Sequence, residues 1–457
     1  MQNKIEIFNN QVIINYNLAY PKSREVLLKS HTFAKFVQYF IEYQETDNAN
    51  MYAYLTKNGE LNSKEASYDF CHFLRLLSIF TCEELKDEYY LSDKDATLDV
   101  IEEMYRTWRS LQRFGYMKSD NSTDFGINTL VAFDSASNDL LLRTYRLFEE
   151  KLMGRPNLVY RQVQAGTNAC FSIHTLDKVW ADEYAALQDI PMIDTVMLRT
   201  PMILHPKSSK RTGMFTEIDT QPMTYFNKGE SNWFCYPCKV GALLCFVYFN
   251  SKYMSSALSM ANLFELATKE ESAQKPDLVV IFGNDDGNDA TNFYYDDAND
   301  IWVGCISDNP RIEYFGYLKK MCLTLHNLAQ MKKGWLPIHG AFVNIYLKDG
   351  TKKGIMLMGD SGAGKSESIE ALKAAAGDMI SEVEVVFDDM VTIHLEDGVP
   401  YGQGTEIGAF IRLDDLDPGT PYRDMDRSIF MAPENPNARM IQPAAPYRVV
   451  VHNHKID

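Results

Sequence analysis

Cysteine is sparse and unpatterned, with eight thiols scattered through 457 residues rather than packed at the spacing of a disulfide framework. Cys235 and Cys238 form one Cys-x-x-Cys, with Cys245 a little downstream. A structural zinc centre needs four ligands, and no second Cys-x-x-Cys or histidine pair stands nearby. These thiols are therefore expected to be reduced and to pack beside an apolar strand. Long apolar runs are missing too, since the longest, Val240 to Phe249, is about half of a membrane span. The opening Met-Gln-Asn-Lys-Ile-Glu-Ile-Phe lacks the basic-then-apolar order of a secretory signal. A cytoplasmic protein without membrane contact is the expectation. Basic residues are outnumbered, 45 against 62 acidic, for a formal net charge of -17. A field of that sign repels a phosphate backbone, so nucleic acid is not an expected partner. There is no internal repeat.

The composition is that of a folded protein. Hydrophobic residues make up 46% and charged residues 23%, which excludes disordered, collagen-like and coiled-coil chains. At roughly 150 residues per domain the length allows about three. Residues 1-153 read as mostly helical, with Ile101, Met104, Tyr105, Trp108 and Leu111 at three-to-four spacing, and again Leu140, Leu141, Tyr145 and Phe148. From residue 154 to 312 short strands broken by Pro and Gly imply a mixed α/β domain, with strands at Thr195 to Leu198, Ala242 to Phe249 and Leu278 to Phe282. Gly283 to Asp300, rich in Asn and Asp, reads as a solvated loop, because Gly287 is misplaced for an EF-hand and no Glu closes it. In residues 313-457 the pattern predicts a helix over Glu313 to Gln330 and strands at Ala341 to Leu347 and Ile355 to Met358. The fold class is α/β throughout the latter two regions.

The last of these strands delivers the most informative segment. Gly359, Asp360, Ser361, Gly362, Ala363, Gly364, Lys365 and Ser366 spell G-x-x-x-x-G-K-[ST], and a good helical pattern runs from Glu367 to a stop at Gly377. In such a loop glycines let backbone amides turn onto phosphates, the lysine reaches the β and γ oxygens, and the hydroxyl of Ser366 can hold Mg²⁺. A glycine turn with a surface lysine is the plain alternative, and strand-then-helix placement argues against it. Val383 to Phe387 reads as a second apolar strand ending in Asp388 and Asp389, carboxylates placed as metal anchors usually are beside a phosphate loop. His339 stands before the hairpin, and Lys319 and Lys320 precede it by about twenty residues. Alone, a histidine at a strand start and a lysine pair on a helix are ordinary structural residues.

Together they resemble the phosphoenolpyruvate carboxykinase family, ATP-dependent type. That family's K-P-D-strand-G segment is similar to Lys275 through Gly283. Its Y-x-G-x-x-K-K helix is similar to Tyr314 through Lys320. His339, the phosphate loop and the Asp pair follow in the same order, and Glu406 through Arg412 looks like its E-x-G-x-x-x-K, with Arg412 in place of the lysine near the nucleotide phosphates. The likeness spans about residues 275 to 434. It implies a phosphoenolpyruvate carboxykinase-like P-loop domain binding ATP through Gly359 to Glu367 and Arg412. It also implies a divalent metal, Mn²⁺ or Mg²⁺, on Lys320, His339, Ser366 and Asp389. The implied catalytic set is Lys319, Lys320, His339, Lys365, Asp388 and Asp389. The implied reaction takes oxaloacetate and ATP to phosphoenolpyruvate, ADP and carbon dioxide, with Lys319 and Lys365 stabilising developing charge. The family's carboxylate-clamping arginine segment, T-G-R-S-P, has no counterpart; Arg161, Arg199 and Arg211 are candidates. The family also continues past the closing Val449 to Asp457, which reads as a strand, so the expectation is either a P-loop domain truncated at its C-terminus or an incomplete nucleotide site. The loop's own spelling is similar to the HPr kinase/phosphorylase family, whose substrate is a protein serine. A nucleotide-binding scaffold without chemistry is the third alternative.

Overall fold

The computed structural model describes residues 4-8, 10-19, 21-119, 127-177, 179-359, 363-365, 368, 371-372, 379-416, 419, 422, 425-432, 434-443 and 447-457. They are mixed α/β, with large sheets and helices, in two compact units. The first comprises Met1–Ser172 with Met197–Arg199, the second Ile173–Val196 with Thr200–Asp457. Both regions expected after residue 153 therefore fall mostly in the second unit. Among the described residues no helix is long and apolar enough to cross a membrane.

In the first unit four long helices, His31–Asp47, Ser63–Ile79, Lys94–Ser110 and Ile127–Met153, account for the apolar periodicity of the sequence. Three of their starts are fixed by side-chain caps: Ser30 accepts from the Phe33 amide, Asn62 and Glu65 form a reciprocal box, and Asp93 accepts from the Ala96 amide. Phe40, Ile41, Phe70, Leu74 and Ile101 are completely buried between them. Strands Ile5–Phe8, Gln11–Asn15 and Gln112–Lys118 flank the helices, the last two paired in parallel.

In the second unit Trp233–Val240 and Leu243–Asn250 form a hairpin. Leu278–Asn284 pairs parallel to the second of these strands and Ile301–Ser307 parallel to Leu278–Asn284. Leu278–Asn284 is buried at every position, as a strand covered on both faces must be. Cys238 lies opposite Cys245, both are fully buried, and every cysteine is a free thiol, in agreement with a packing role.

Three sequence expectations need correction. The Gly283 to Asp300 segment is not all loop: Thr291–Asp296 is a strand antiparallel to Ile301–Ser307. Its Phe293 and Tyr295 pack on Trp302, so aromatic cross-strand contact overrides the flanking Asn and Asp. The strand expected from Ala341 starts earlier, at Leu336, and includes Pro337. The terminal Val449 run is a short helix, Tyr447–Val451, followed by His454–Lys455 pairing with Tyr401 and Gly402. Burying Val450 and anchoring Tyr447 by a 3.1 Å hydrogen bond to the Gly241 carbonyl outweigh the β preference of three valines.

Candidate functional site

Strand geometry alone assembles the centre of the second unit. Leu336–Leu347 is flanked on one edge by Lys352–Met358, with Gly340 opposite Met358. On its other edge run Ile380–Phe387 and Met390–Glu396, with Phe342 opposite Phe387 and His339 opposite Met390. The His339 carbonyl accepts the Gly359 amide at 3.1 Å, and the Asp389 carbonyl accepts the Gly340 amide at 3.0 Å. Neighbouring strands lie about 4.8 Å apart, so Gly359, His339 and the Asp pair stand at the ends of adjacent strands. Two backbone features permit this. A Cβ on Gly340 would sit 2.7 Å from the Leu357 carbonyl oxygen. Asp389 has φ of 83°, a left-handed conformation that short polar side chains tolerate, and it interrupts the strand at the carboxylate.

The helix Gly316–Lys332 brings the lysines to that carboxylate. Lys319 Nζ is 2.5 Å from Asp389 Oδ2 and 3.0 Å from Glu406 Oε1. Lys320 Nζ is 3.9 Å from Asp389 Oδ2, and His339 Nε2 is 2.7 Å from Asp389 Oδ1. Three basic side chains thus converge on one aspartate. The lysines differ sharply, because Lys319 is 2% exposed in its side chain and Lys320 is 41%. Burial alone would pull the Lys319 ammonium down, but Glu406 and Asp389 outweigh it and hold it above the ordinary lysine range. Burial likewise opposes ionisation of Asp389, yet Lys319, the His339 hydrogen bond and Lys320 hold it well below the usual carboxylate range. Asp388 is raised, chiefly by burial, and its Oδ1 accepts the Asp389 amide at 2.9 Å.

Glu406 is the residue to which the sequence assigned no role. It follows the strand Val399–Gly404, and its neighbour Thr405 is fixed by a 3.0 Å hydrogen bond from Oγ1 to the Met390 carbonyl. Burial pushes the Glu406 carboxyl up to about 7, against the pull of Lys319. Its one basic partner among the described residues is the Lys319 ammonium, 3.0 Å from Oε1. Its place in the E-x-G segment was the available signal.

Of the remaining expected site residues, Gly359, Ala363, Gly364 and Lys365 are described, whereas Asp360, Ser361, Gly362, Ser366 and Glu367 lie outside the described residues. Gly364 has φ of 85°, and Lys365 Nζ donates to the Gly359 carbonyl at 2.8 Å. Lys365, Ser368, Ala371 and Leu372 have helical backbone, and the Ser368 amide donates to the Gly364 carbonyl at 2.9 Å. Most of the helix expected from Glu367 lies outside the described residues. Arg412, at the end of strand Gly408–Arg412, is bonded to Asp414 through Nε at 3.1 Å and through Nη2. None of the candidate clamp arginines is shown at this centre. Arg199 pairs with the buried Asp134 in the first unit, Arg211 bonds the Gly213 carbonyl at 2.7 Å and lies over Phe215, and the Arg161 carbonyl accepts from Arg146.

Among the described residues no group of three or more His, Cys, Asp or Glu side chains is placed to hold a metal. The donors that do converge are one imidazole, one carboxylate and one lysine, with the Glu406 carboxyl paired to Lys319 behind them. Nitrogen and oxygen donors of this kind suit Mn²⁺ and, through the carboxylate, Mg²⁺. No family model matches the chain, and no curated protein is significantly similar to it.

Proposed function

We propose that the chain is an ATP- and divalent-metal-dependent phosphotransferase of carboxykinase type, acting between oxaloacetate and phosphoenolpyruvate, with a P-loop domain of that family's arrangement. The observation that carries this reading is the convergence of Lys319, Lys320 and His339 on Asp389, one strand away from the phosphate-loop start. A phosphate loop alone would fit any nucleotide enzyme. The lysine-bearing helix docked on the His-Asp pair is what the resemblance to carboxykinases requires and what the HPr kinase-like alternative lacks.

Lys320, His339 and Asp389 would hold the divalent cation, with Ser366 as a further ligand from the loop. When bound, the cation supplies Lewis-acid polarisation and charge neutralisation at the oxygens that exchange the phosphoryl group. The protein's own contribution is preorganised charge. Lys319 is kept cationic by two carboxylates and cannot wander, so it presents a fixed positive charge beside Asp389. The 2.7 Å contact sets His339 Nε2 beside Asp389 Oδ1, as two ligands of one cation would lie. Lys365 is tethered to the Gly359 carbonyl, and in the proposed reaction it would exchange that contact for a γ-phosphoryl oxygen.

The test is nucleotide-dependent exchange of labelled carbon dioxide into oxaloacetate with Mn²⁺ present. Exchange above a Lys365→Ala control is the expected result. ATP binding without exchange would remove the decarboxylating reaction, and labelling of a protein serine in extract would transfer the assignment to the kinase alternative.

A further inference from the structure

The first unit contains a half-enclosed cavity of about 110 Å³ that the phosphotransfer chemistry does not use. Its walls are hydrocarbon: Phe36, Met104, Trp108, Leu141 and Tyr145 face it from three helices. Their polar ends are tied elsewhere. Trp108 Nε1 donates to the Ala165 carbonyl at 2.8 Å, and the Tyr145 hydroxyl donates to Glu102 at 2.9 Å. The Tyr145 ring stacks on Tyr105 at 4.0 Å and 5°, and Trp108 meets Phe36 edge-on at 5.0 Å and 80°. Rings held at both ends cannot fold inward to close the space, so the cavity is a property of the packing.

One polar group in that wall is unsatisfied. Ser137, on the helix Ile127–Met153, is 7% exposed, and its Oγ has no hydrogen-bond partner among the described residues. Other hydroxyls of the lining are engaged: Thr144 donates to the Leu140 carbonyl at 2.7 Å, Thr167 to Asp134 at 2.6 Å, and Thr32 contacts Ser30 at 2.9 Å. A buried hydroxyl without a partner is unfavourable, and a site of mostly apolar wall with one placed polar group is how small-molecule pockets are built. An enclosed apolar cavity of about 150 Å³ takes up benzene in another protein. The space here is smaller but open on one side, so a single small ring with its substituent toward the opening is the most it can take.

We infer that this cavity binds a small monocyclic aromatic molecule carrying one hydroxyl, with the ring between Trp108, Phe36 and Tyr145 and the hydroxyl on Ser137 Oγ. Phenol and benzene are the probes, titrated into the full chain while Trp108 fluorescence and melting temperature are followed, with Trp108→Phe as the control for the optical signal. Saturable change with phenol is expected, tighter than benzene by roughly two- to tenfold, the worth of one hydrogen bond. Ser137→Ala should erase the preference and leave benzene unchanged, and Leu141→Trp should fill the space and abolish both. No saturable response to phenol in either readout overturns the site, and benzene binding as tightly as phenol overturns the assigned ligand class. Should Leu141→Trp fail to fold, Ser137→Ala, which deletes one oxygen, decides the matter with the wild-type comparison.

Discussion

Asp389 accepts contact from three basic side chains, and the division of labour among them is a question of which can give up a proton. A lysine that ligates a metal must be neutral, and arginine cannot be deprotonated in a protein. Lys320→Arg should therefore lower carbon dioxide exchange by roughly a hundredfold or more, despite conserving charge. ATP affinity should hardly move, because the phosphate loop binds independently, whereas Lys365→Ala should weaken the nucleotide itself. If Lys320 were only a solvated helix residue, arginine would serve equally well. Turnover measured across a Mn²⁺ titration settles it, and superimposable curves for wild type and variant would sink the metal-ligand assignment. Lys319 offers no such freedom, since both of its carboxylate partners favour the charged form.

At the scale of elements, the helix Gly316–Lys332 carries the lysines near its start and a buried histidine further along. His326 is completely buried, with its Nε2 3.4 Å from Gln330 Nε2, and burial holds its pKa down at about 4. The unfolded chain would protonate it near 6.5. Between these values the unfolded state binds the proton and the folded state does not, so this stabilisation is complete above pH 6.5 and lost as pH falls toward 4. The loss should be on the order of 3 kcal/mol, and His326→Gln should remove most of it. Denaturant melts at pH 7 and pH 4.5 check this, and equal pH dependence in both proteins would refute it. The sequence exposed this helix by its apolar spacing, and it marked the loop after Met358 by a glycine pattern in which Gly364 takes a positive φ. Pairing was less legible. Nothing local announces that His339 lies opposite Met390, because register is set by distant partners. The strand Thr291–Asp296 was hidden by its polar neighbours, and Glu406 had no visible role until Lys319 was found buried against it. The convergence on Asp389 was anticipated only through the resemblance, since neither a lone histidine nor a lysine pair signals a site by itself.

For the whole molecule the excess of 17 negative charges sets the long-range field that a nucleotide would meet under the proposed function. ATP is itself an anion, so the approach is disfavoured until it comes within range of Lys365, Lys320 and the fixed cation of Lys319. Salt distinguishes the two contributions. Repulsion from charges spread over the surface acts beyond the Debye length of about 8 to 10 Å near physiological salt and is readily screened. Attraction by charges a few ångströms from the phosphates, partly shielded from solvent, is screened much less. Raising salt from 20 to 200 mM should therefore speed ATP association, by roughly two- to tenfold, at or below the foot of the roughly 10- to 1,000-fold range that electrostatic steering covers. The dissociation rate should change less, because it reports the close contacts. Stopped-flow binding of a fluorescent ATP analogue measures both rates. An association rate that falls with salt would mean that the lysines dominate the field well outside the site, and that the acidic surface does not govern how the nucleotide arrives.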